Sequence, residues 1–490
     1  MPPITDVAAP SAALHDQPGL ATRRGPIVWA VAVTGAAQFM AALDNLVVTM
    51  ALPVIREKLH AGLAGLEWTV NAYTLTFAVL LLTGAALGDR FGRRRLFLVG
   101  LTLFTVASAA AALAPSIGAL IAARAVQGAG GAMVVPLSLT LLSASVPAAK
   151  RNMALGIWGA LGGLAVAIGP LVGGAVVQGV SWQWIFWLNV PIGLALLPMA
   201  RLRLGESRGG ASALDLRGVL LASLGLLGVV LGLVRGGQAG WASTEVLASF
   251  AGGACLLGAF VAWERRSPAP MLPLRLFRSR QFSVVNAVAL LMSFGMFGSI
   301  FLLAQFLQTV QHLSPLSAGV RTLPWTGMPV LVAPLAGMLV DRLGGRALIA
   351  AGLSLQAAGL AWMAIVLSPT APYLDFVPAF VLSGVGMALF FVPVASVVLT
   401  SVGRADEGVA SGTNNAVREL GGVLGVSVLG AVFSGLGGYA SGASFVAGLV
   451  PAVTVGAAVV GVGALAALAL GGRARRAGAE AALAPALEAA

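Results

Sequence analysis

Four charged residues lie inside long apolar stretches of the sequence: Asp44, Arg124, Arg418 and Glu419. A carboxylate surrounded by hydrocarbon is costly unless it is paired, hydrated or protonated, so it can bind and release a proton as its surroundings change. An arginine in the same setting keeps its charge and needs an acid or a carbonyl group as a partner. These residue types therefore indicate proton or cation binding within a membrane.

Asp44 and Arg124 are expected to lie at similar depths in that membrane. Asp44 precedes Leu52, where we expect the first apolar segment to end, by eight residues. Arg124 follows Ser116, just before the fourth segment, by the same number. At about 1.5 Å per helical residue, both side chains lie about 12 Å from the same face. The structural alternatives are an aspartate at the membrane interface and an arginine that binds only backbone carbonyl groups.

Apolar segments of membrane-spanning length must position these charges. The chain has 490 residues, of which 58% are hydrophobic and 9% are charged, whereas a soluble domain carries about a quarter charged residues. A membrane helix needs about 20 mainly apolar residues. We predict fourteen spans: Ile27–Leu52, Leu66–Gly88, Leu96–Ala114, Ile117–Ser143, Met153–Gln178, Trp184–Leu202, Leu216–Val234, Val246–Trp263, Phe282–Val310, Ala318–Val340, Ala347–Leu367, Tyr373–Thr400, Gly408–Leu436 and Phe445–Leu470.

The placement of lysine and arginine predicts the orientation. With the N-terminus inside, 23 of the 29 basic residues lie on the inner side, 4 lie on the outer side and 2 lie within spans. Cytoplasmic loops carry this excess of positive charge. We therefore expect a protein of the bacterial inner membrane with both termini in the cytoplasm. The net charge of +12 therefore indicates orientation, and we expect no nucleic-acid partner.

Other chemistries have no support in the sequence. Cys255 is the single cysteine and the three histidines are scattered, so neither a disulfide framework nor a metal site is expected. We find no phosphate-binding loop and no serine-histidine-carboxylate set, so we expect no catalytic residues, no metal and no cofactor. An ion gradient would have to supply the energy.

A repeated loop motif divides the chain into two related halves. The pattern D-R-x-G-x-R occurs at residues 89–94 and again at 341–346, and a glycine-rich pattern recurs with nearly the same spacing, at 128–132 and 384–388. We predict an N-terminal tail at 1–26, a six-helix bundle at 27–205, an inserted helix pair at 206–265, a second bundle at 266–471 and a C-terminal tail at 472–490. Two parallel six-helix bundles are typical of alternating-access transporters.

Five segments carry a family resemblance. They are the string Leu43–Pro53 around Asp44, the loop at 89–94, the string Arg124–Gly130, the run Gly169–Gly174 and the string Trp182–Gly193. With them the chain resembles the major facilitator superfamily, and within it the fourteen-span drug:proton antiporters of the EmrB/QacA type. The resemblance implies an all-α integral membrane protein with two parallel six-helix bundles and two central helices. It also implies proton-coupled export of lipophilic or cationic drugs.

The resemblance assigns roles to particular residues. Asp44 and Arg124 would couple transport to protons, because the first and fourth spans of this family face one cavity. Arg418 and Glu419 are a possible cavity or second charge site. The cytoplasmic gate, with arginines pairing across the bundle boundary, would comprise Asp89, Arg90, Gly92, Arg93, Arg94, Asp341, Arg342, Gly344 and Arg346. The antiporter motif that seals the centre would comprise Gly169, Pro170, Gly173 and Gly174.

The position that corresponds to Arg124 in the second half is Phe380, so proton chemistry is expected in the first half alone. The expected partners are the lipid bilayer, small lipophilic or cationic substrates and protons, with the protein acting as a monomer. Three alternatives remain open at this point: a dedicated exporter of one endogenous metabolite or antibiotic, a membrane sensor and a membrane enzyme.

Overall fold

Backbone hydrogen bonding dictates helices in this chain, because hydrocarbon offers no partner for a peptide group outside its own segment. The computed structural model describes residues 24–209, 214–403 and 406–470, and within these ranges all regular structure is helical. The helices are α1 Arg24–Lys58, α2 Leu63–Phe91, α3 Arg93–Ala112, α4 Ile117–Ser145, α5 Ala148–Gly179, α6 Trp184–Trp187, α7 Asn189–Arg203, α8 Leu216–Ala239, α9 Thr244–Glu264, α10 Arg280–Thr309, α11 Pro315–Thr326, α12 Met328–Leu343, α13 Gly345–Val366, α14 Tyr373–Thr400, α15 Glu407–Leu436 and α16 Gly442–Ala467, with a 3-10 helix at Leu274–Arg278.

The predicted number of spans is confirmed for the described residues. Fourteen helical stretches are long and apolar enough to cross a membrane, and most of them begin and end within three residues of the predicted positions. The chain is thus a multi-pass membrane protein with an all-α fold.

Two spans are interrupted and one is longer than predicted. The sixth span breaks at Leu188 into α6 and α7, and the tenth breaks at Gly327 into α11 and α12. Prolines in both stretches lack the N–H that a continuous helix needs. The prediction that α1 ends at Leu52 is wrong: it continues through Pro53 to Lys58, because a single proline bends a helix without ending it.

The helices pack as two bundles with a peripheral pair. α1–α7 contact one another, as do α10–α16, while α8 and α9 pack chiefly on each other. α8 also contacts α2 and α15, one helix from each bundle. The inserted pair therefore lies beside the boundary between the bundles. The predicted tails lie outside the described residues, apart from residues 24–26.

The two faces of the molecule differ in charge. We call the face at which α2, α7 and α9 end the arginine-rich face, because the loop at 89–94 lies there. The face at which α1 and α15 end is the opposite face. The bundles meet where α2 packs on α15, α5 packs on α11 and α1 packs on α10.

Candidate functional site

The carboxylate of Asp44 lies at the centre of the N-terminal bundle and is 1% exposed. Its Oδ2 accepts a hydrogen bond of 2.5 Å from Arg124 Nη1. Its Oδ1 accepts bonds of 2.8 Å from Gln127 Nε2 and 2.7 Å from Asn189 Nδ2. Asp44 and Arg124, expected to couple directly or through water, are in direct contact, and two neutral amides complete the shell of the carboxylate.

Arg124 makes hydrogen bonds and a ring contact, and it is also 1% exposed. Its Nη1 donates to Gln127 Oε1 at 2.7 Å, and its Nε donates to the carbonyl oxygen of Thr69 at 3.2 Å. Its guanidinium lies 4.2 Å from the ring centre of Tyr73. Arg124 thus forms an ion pair with the acid and also bonds a backbone carbonyl. The two readings of this residue are compatible.

Four helices contribute side chains to this network, and α2 contributes the carbonyl group of Thr69. Gln127 Nε2 donates to Ser108 Oγ at 2.8 Å, and Asn189 Nδ2 donates to the same oxygen at 3.4 Å. Ser108 lies on α3 and Asn189 begins α7, beside Asp44 on α1 and Arg124 on α4. Because these five side chains are buried, the network excludes bulk water in this conformation.

Sequence reasoning missed three members of this network. Gln127 follows Arg124 by three residues, a spacing that places both on one helix face and could have identified it. Asn189 lies in the string Trp182–Gly193, which was used for the family resemblance but not for the site. Ser108 lies in a run of alanine and valine, and nothing in its position signals a polar partner.

The arrangement makes the charge of Asp44 decisive for its surroundings. Leaving one member of a buried ion pair without the other costs about 3–5 kcal/mol. A proton on Asp44 removes the carboxylate charge, so Arg124 loses its ionic partner and keeps only neutral acceptors. A proton on Asp44 would therefore remove the ionic interaction that joins α1 to α4.

Arg418 and Glu419 lie on α15, which packs against α2 of the other bundle. Arg418 Nη1 donates to Asn415 Oδ1 at 3.2 Å, its guanidinium lies 4.5 Å from the Phe391 ring centre, and its Nε is buried without a partner. Adjacent residues on a helix point in different directions, and no ion pair joins Arg418 to Glu419 among the described residues.

The loop at the arginine-rich face makes its ion pairs within the N-terminal bundle. Arg93 Nε donates to Asp89 Oδ1 at 2.7 Å, and the backbone N–H of Arg94 donates to Glu206 Oε1 at 3.0 Å. Gly92 has a φ of 111°, which favours glycine. In this conformation Arg93 and Arg94 bind Asp89 and Glu206 of their own bundle, and the pairing across the bundle boundary that would latch the outward-facing state stays a prediction.

The equivalent loop of the C-terminal bundle has the same backbone shape. Gly344 ends α12 with a φ of 82°, after Arg342 in the last turn, and Arg346 begins α13. The side chain of Asp341 lies outside the described residues.

Two glycines of the antiporter motif bring α5 close to α1. A Cβ added at Gly173 would lie 2.8 Å from the carbonyl oxygen of Val47, and one added at Gly169 would lie 2.8 Å from Cβ of Leu46. Both contacts are closer than a real side chain allows. The motif therefore fits α5 against the helix that carries Asp44, two to three residues beyond the acid.

The remaining motif residues join the two bundles. A Cβ added at Gly174 would overlap the backbone of Pro315, and one added at Gly319 would overlap the carbonyl group of Pro170. Thr326 Oγ1 also donates to the carbonyl oxygen of Ala167 at 3.0 Å. α5 and α11 thus meet backbone to backbone, a contact that small residues permit. This contact closes the bundle boundary toward the opposite face.

Comparison with known proteins identifies the fold and its relatives. The model of the Major Facilitator Superfamily matches residues 34–426. The tetracenomycin C resistance and export protein of Streptomyces glaucescens is 36% identical over 431 residues, which cover 86% of this chain and 79% of that protein. The multidrug resistance protein Stp of Mycobacterium tuberculosis is 37% identical over 403 residues, covering 82% and 75%. The xylose transporter XylE of E. coli has the same fold, with a TM-score of 0.59, 15% identity and coverage of 90% and 97%.

Proposed function

The chain belongs to the Major Facilitator Superfamily, and we propose that it is a proton-coupled antiporter that exports lipophilic or cationic drugs by alternating access. The observation that carries the proposal is the buried pair of Asp44 and Arg124. A transporter that exchanges protons for substrate needs an acid whose protonation alters the stability of one conformation. Asp44 meets that requirement, because the guanidinium and two amides around it are arranged for its charged form.

The orientation forms part of the proposal. The arginine-rich face would lie in the cytoplasm of a bacterial cell and the opposite face outside, in keeping with the positive-inside rule. In this conformation α5 and α11 meet toward the opposite face, which would be the outer side. A proton that enters from outside would remove the charge of Asp44 and release Arg124, and its loss to the cytoplasm would restore the pair seen in this conformation, so that protons move inward while substrate moves outward. The substrate would be transported unchanged, so we assign no enzymatic activity, metal or cofactor.

Transport by the purified protein in liposomes tests this proposal. We expect an imposed pH gradient to drive a fluorescent lipophilic cation against its own gradient, and we expect Asp44→Asn to abolish that pH-driven transport. Asp375→Asn is the control, because Asp375 is an exposed aspartate in the first turn of α14. Undiminished pH-driven transport by Asp44→Asn, in protein shown to be folded, would refute the role of Asp44.

A narrower substrate range is the second candidate. The name of the Streptomyces relative specifies one antibiotic, whereas the name of the Mycobacterium relative specifies many drugs. A panel of structurally unrelated compounds, tested in a strain that lacks its own efflux pumps, separates the two. Resistance to a single compound class would favour a dedicated exporter, and resistance to several classes would favour a multidrug pump.

A further inference from the structure

A second acid is buried at the bundle boundary, on α2 and outside the hydrogen-bond network of Asp44. Glu67 lies in the second turn of α2, about 6 Å from the helix end at the opposite face, and it is 2% exposed. Its carboxyl group lies against Gly430 of α15, where any added Cβ would overlap Glu67 Oε1. The glycine therefore makes room for the acid between the two bundles.

Glu67 has no hydrogen-bond donor and no ion-pair partner among the described residues. Asp44 and Glu67 thus contrast sharply, because the first carboxylate accepts three hydrogen bonds and the second accepts none. A buried carboxylate without a donor or a cation costs several kcal/mol, so a neutral carboxylic acid is the form that this packing tolerates.

An unpaired oxygen of Asn71 independently favours a protonated Glu67. It lies four residues after Glu67, so the two side chains share one face of α2. Asn71 Nδ2 donates to Ser427 Oγ of α15 at 2.9 Å, but Asn71 Oδ1 is buried without a donor. A protonated Glu67 would provide an O–H group on the same helix face, one turn from this acceptor. One proton would therefore resolve two unmet requirements at once.

The neighbouring charges do not neutralise Glu67. Arg56, at the end of α1, lies 3.7 Å above the Tyr439 ring, and the Tyr439 hydroxyl donates to Gln305 Oε1 of α10. Glu67 and Arg56 both act on that hydroxyl from a distance without pairing with each other. Away from the arginine-rich face, the charged and titratable groups on the elements packed around Glu67 are Asp44, Arg56, Glu57 and Lys58 on α1, Arg124 on α4, Arg235 on α8, which pairs with Glu245 on α9, Arg418 and Glu419 on α15, and Tyr439 after α15.

We propose that Glu67 is a second proton-binding residue, which must hold a proton for the bundles to close at the opposite face. Closure buries the carboxyl group against Gly430, and separation of α2 from α15 exposes it to water, where it can ionise. Proton uptake from that side is thereby linked to closure. The inference rests on the proposed function only for its place in transport, since the linkage itself is a property of the closed structure.

The sign of the linkage follows from the burial. The closed state holds the proton and the open state releases it, so lowering the pH favours closure and raising the pH favours opening. For a single proton the ratio of closed to open molecules changes by at most about tenfold per pH unit. A side chain that cannot ionise removes this dependence.

Distance measurements between the bundles test the proposal without transport. Spin labels on Lys58→Cys and Ala443→Cys, both exposed at the opposite face, report opening in full-length protein in nanodiscs with Cys255→Ser. The Asp44→Asn substitution is included, so that Asp44 does not titrate. We expect a short distance to dominate near about pH 5 and a longer one to grow toward about pH 8.

Glu67→Gln should show the short distance at every pH, and Glu57→Gln, which removes an exposed acid near the same face, should behave like the parent. Glu67→Ala replaces Glu67→Gln if the amide variant does not assemble. The proposal is overturned if the parent shows no pH dependence, or if the Glu67 variants keep it. Because these measurements need neither substrate nor a pH gradient, they can fail while the liposome experiment on Asp44 succeeds, and the reverse.

Discussion

Arg124 lies over the Tyr73 ring in the N-terminal bundle, and Phe380 stacks on Trp325 in the C-terminal bundle with ring centres 6.1 Å apart. Phe380 follows Arg124 by 256 residues and Trp325 follows Tyr73 by 252, the spacings of the two repeated motifs. Tyr73 and Trp325 thus occupy matching positions, and we call each ring the aromatic platform of its bundle. A cation lies on the platform of the N-terminal bundle, and an aromatic ring lies on that of the C-terminal bundle. The shared fold preserves the packing of the platform, and only one bundle places a charge on it.

The same contrast holds for ion pairs. The pair of Asp44 and Arg124 is fully buried in the N-terminal bundle. In the C-terminal bundle, Arg275 forms two bonds of 2.7 Å with Asp406 at the surface. The hydrogen bond from Arg275 lowers the pKa of Asp406, so that acid stays charged. An exposed pair that remains charged cannot act as a proton switch, whereas a buried pair can.

The largest effect is expected when the ion pair of the N-terminal bundle loses one member. Arg124→Met leaves the Asp44 carboxylate without a cation, and we expect it to lose about 3–5 kcal/mol of stability together with pH-driven export. Adding Asp44→Asn should restore most of the stability but none of the export. Thermal unfolding in detergent and liposome transport measure the two properties. Recovery of export in the double variant would show that the pair is only structural.

A smaller effect is expected at the boundary between the bundles. Gly174→Val would force α5 away from the backbone of Pro315, and overpacking of about 1–3 kcal/mol corresponds to about 5- to 150-fold less of the closed state. We expect pH-driven export to fall accordingly. Gly163→Val is the matched control, because Gly163 lies on the same helix and faces open space. Equal export by both variants would show that this contact does not seal the boundary.

The smallest effect is expected at the apolar platform of the C-terminal bundle. Phe380→Leu keeps an apolar side chain there, and we expect it to cost below about 1.5 kcal/mol. The ratio of export with and without a pH gradient should equal that of the parent protein. Leu374→Val, an exposed position on the same helix, is the control. A changed ratio would place proton coupling in both bundles and remove the distinction between them.

Much of the fold and part of the site could be predicted from residue type and spacing. The shared position of Asp44 and Arg124 followed from the family resemblance, whereas the depth of Asp44 was counted from Leu52, and α1 continues to Lys58. The acid Glu67 was missed, because it lies at the start of a span, where a charged residue is commonly a solvated end. Its burial depends on Gly430, which is 363 residues away in the chain.

The sequence by itself determined the number of spans and the division into two halves. In hydrocarbon each segment must satisfy its own backbone, so the apolar length alone fixes where a helix forms. Only the tertiary structure decided which polar groups meet. Pairing between helices depends on their rotation and closest approach, which are set by glycines on distant segments. For that reason two acids in neighbouring spans have opposite surroundings: Asp44 has three donors, and Glu67 has none.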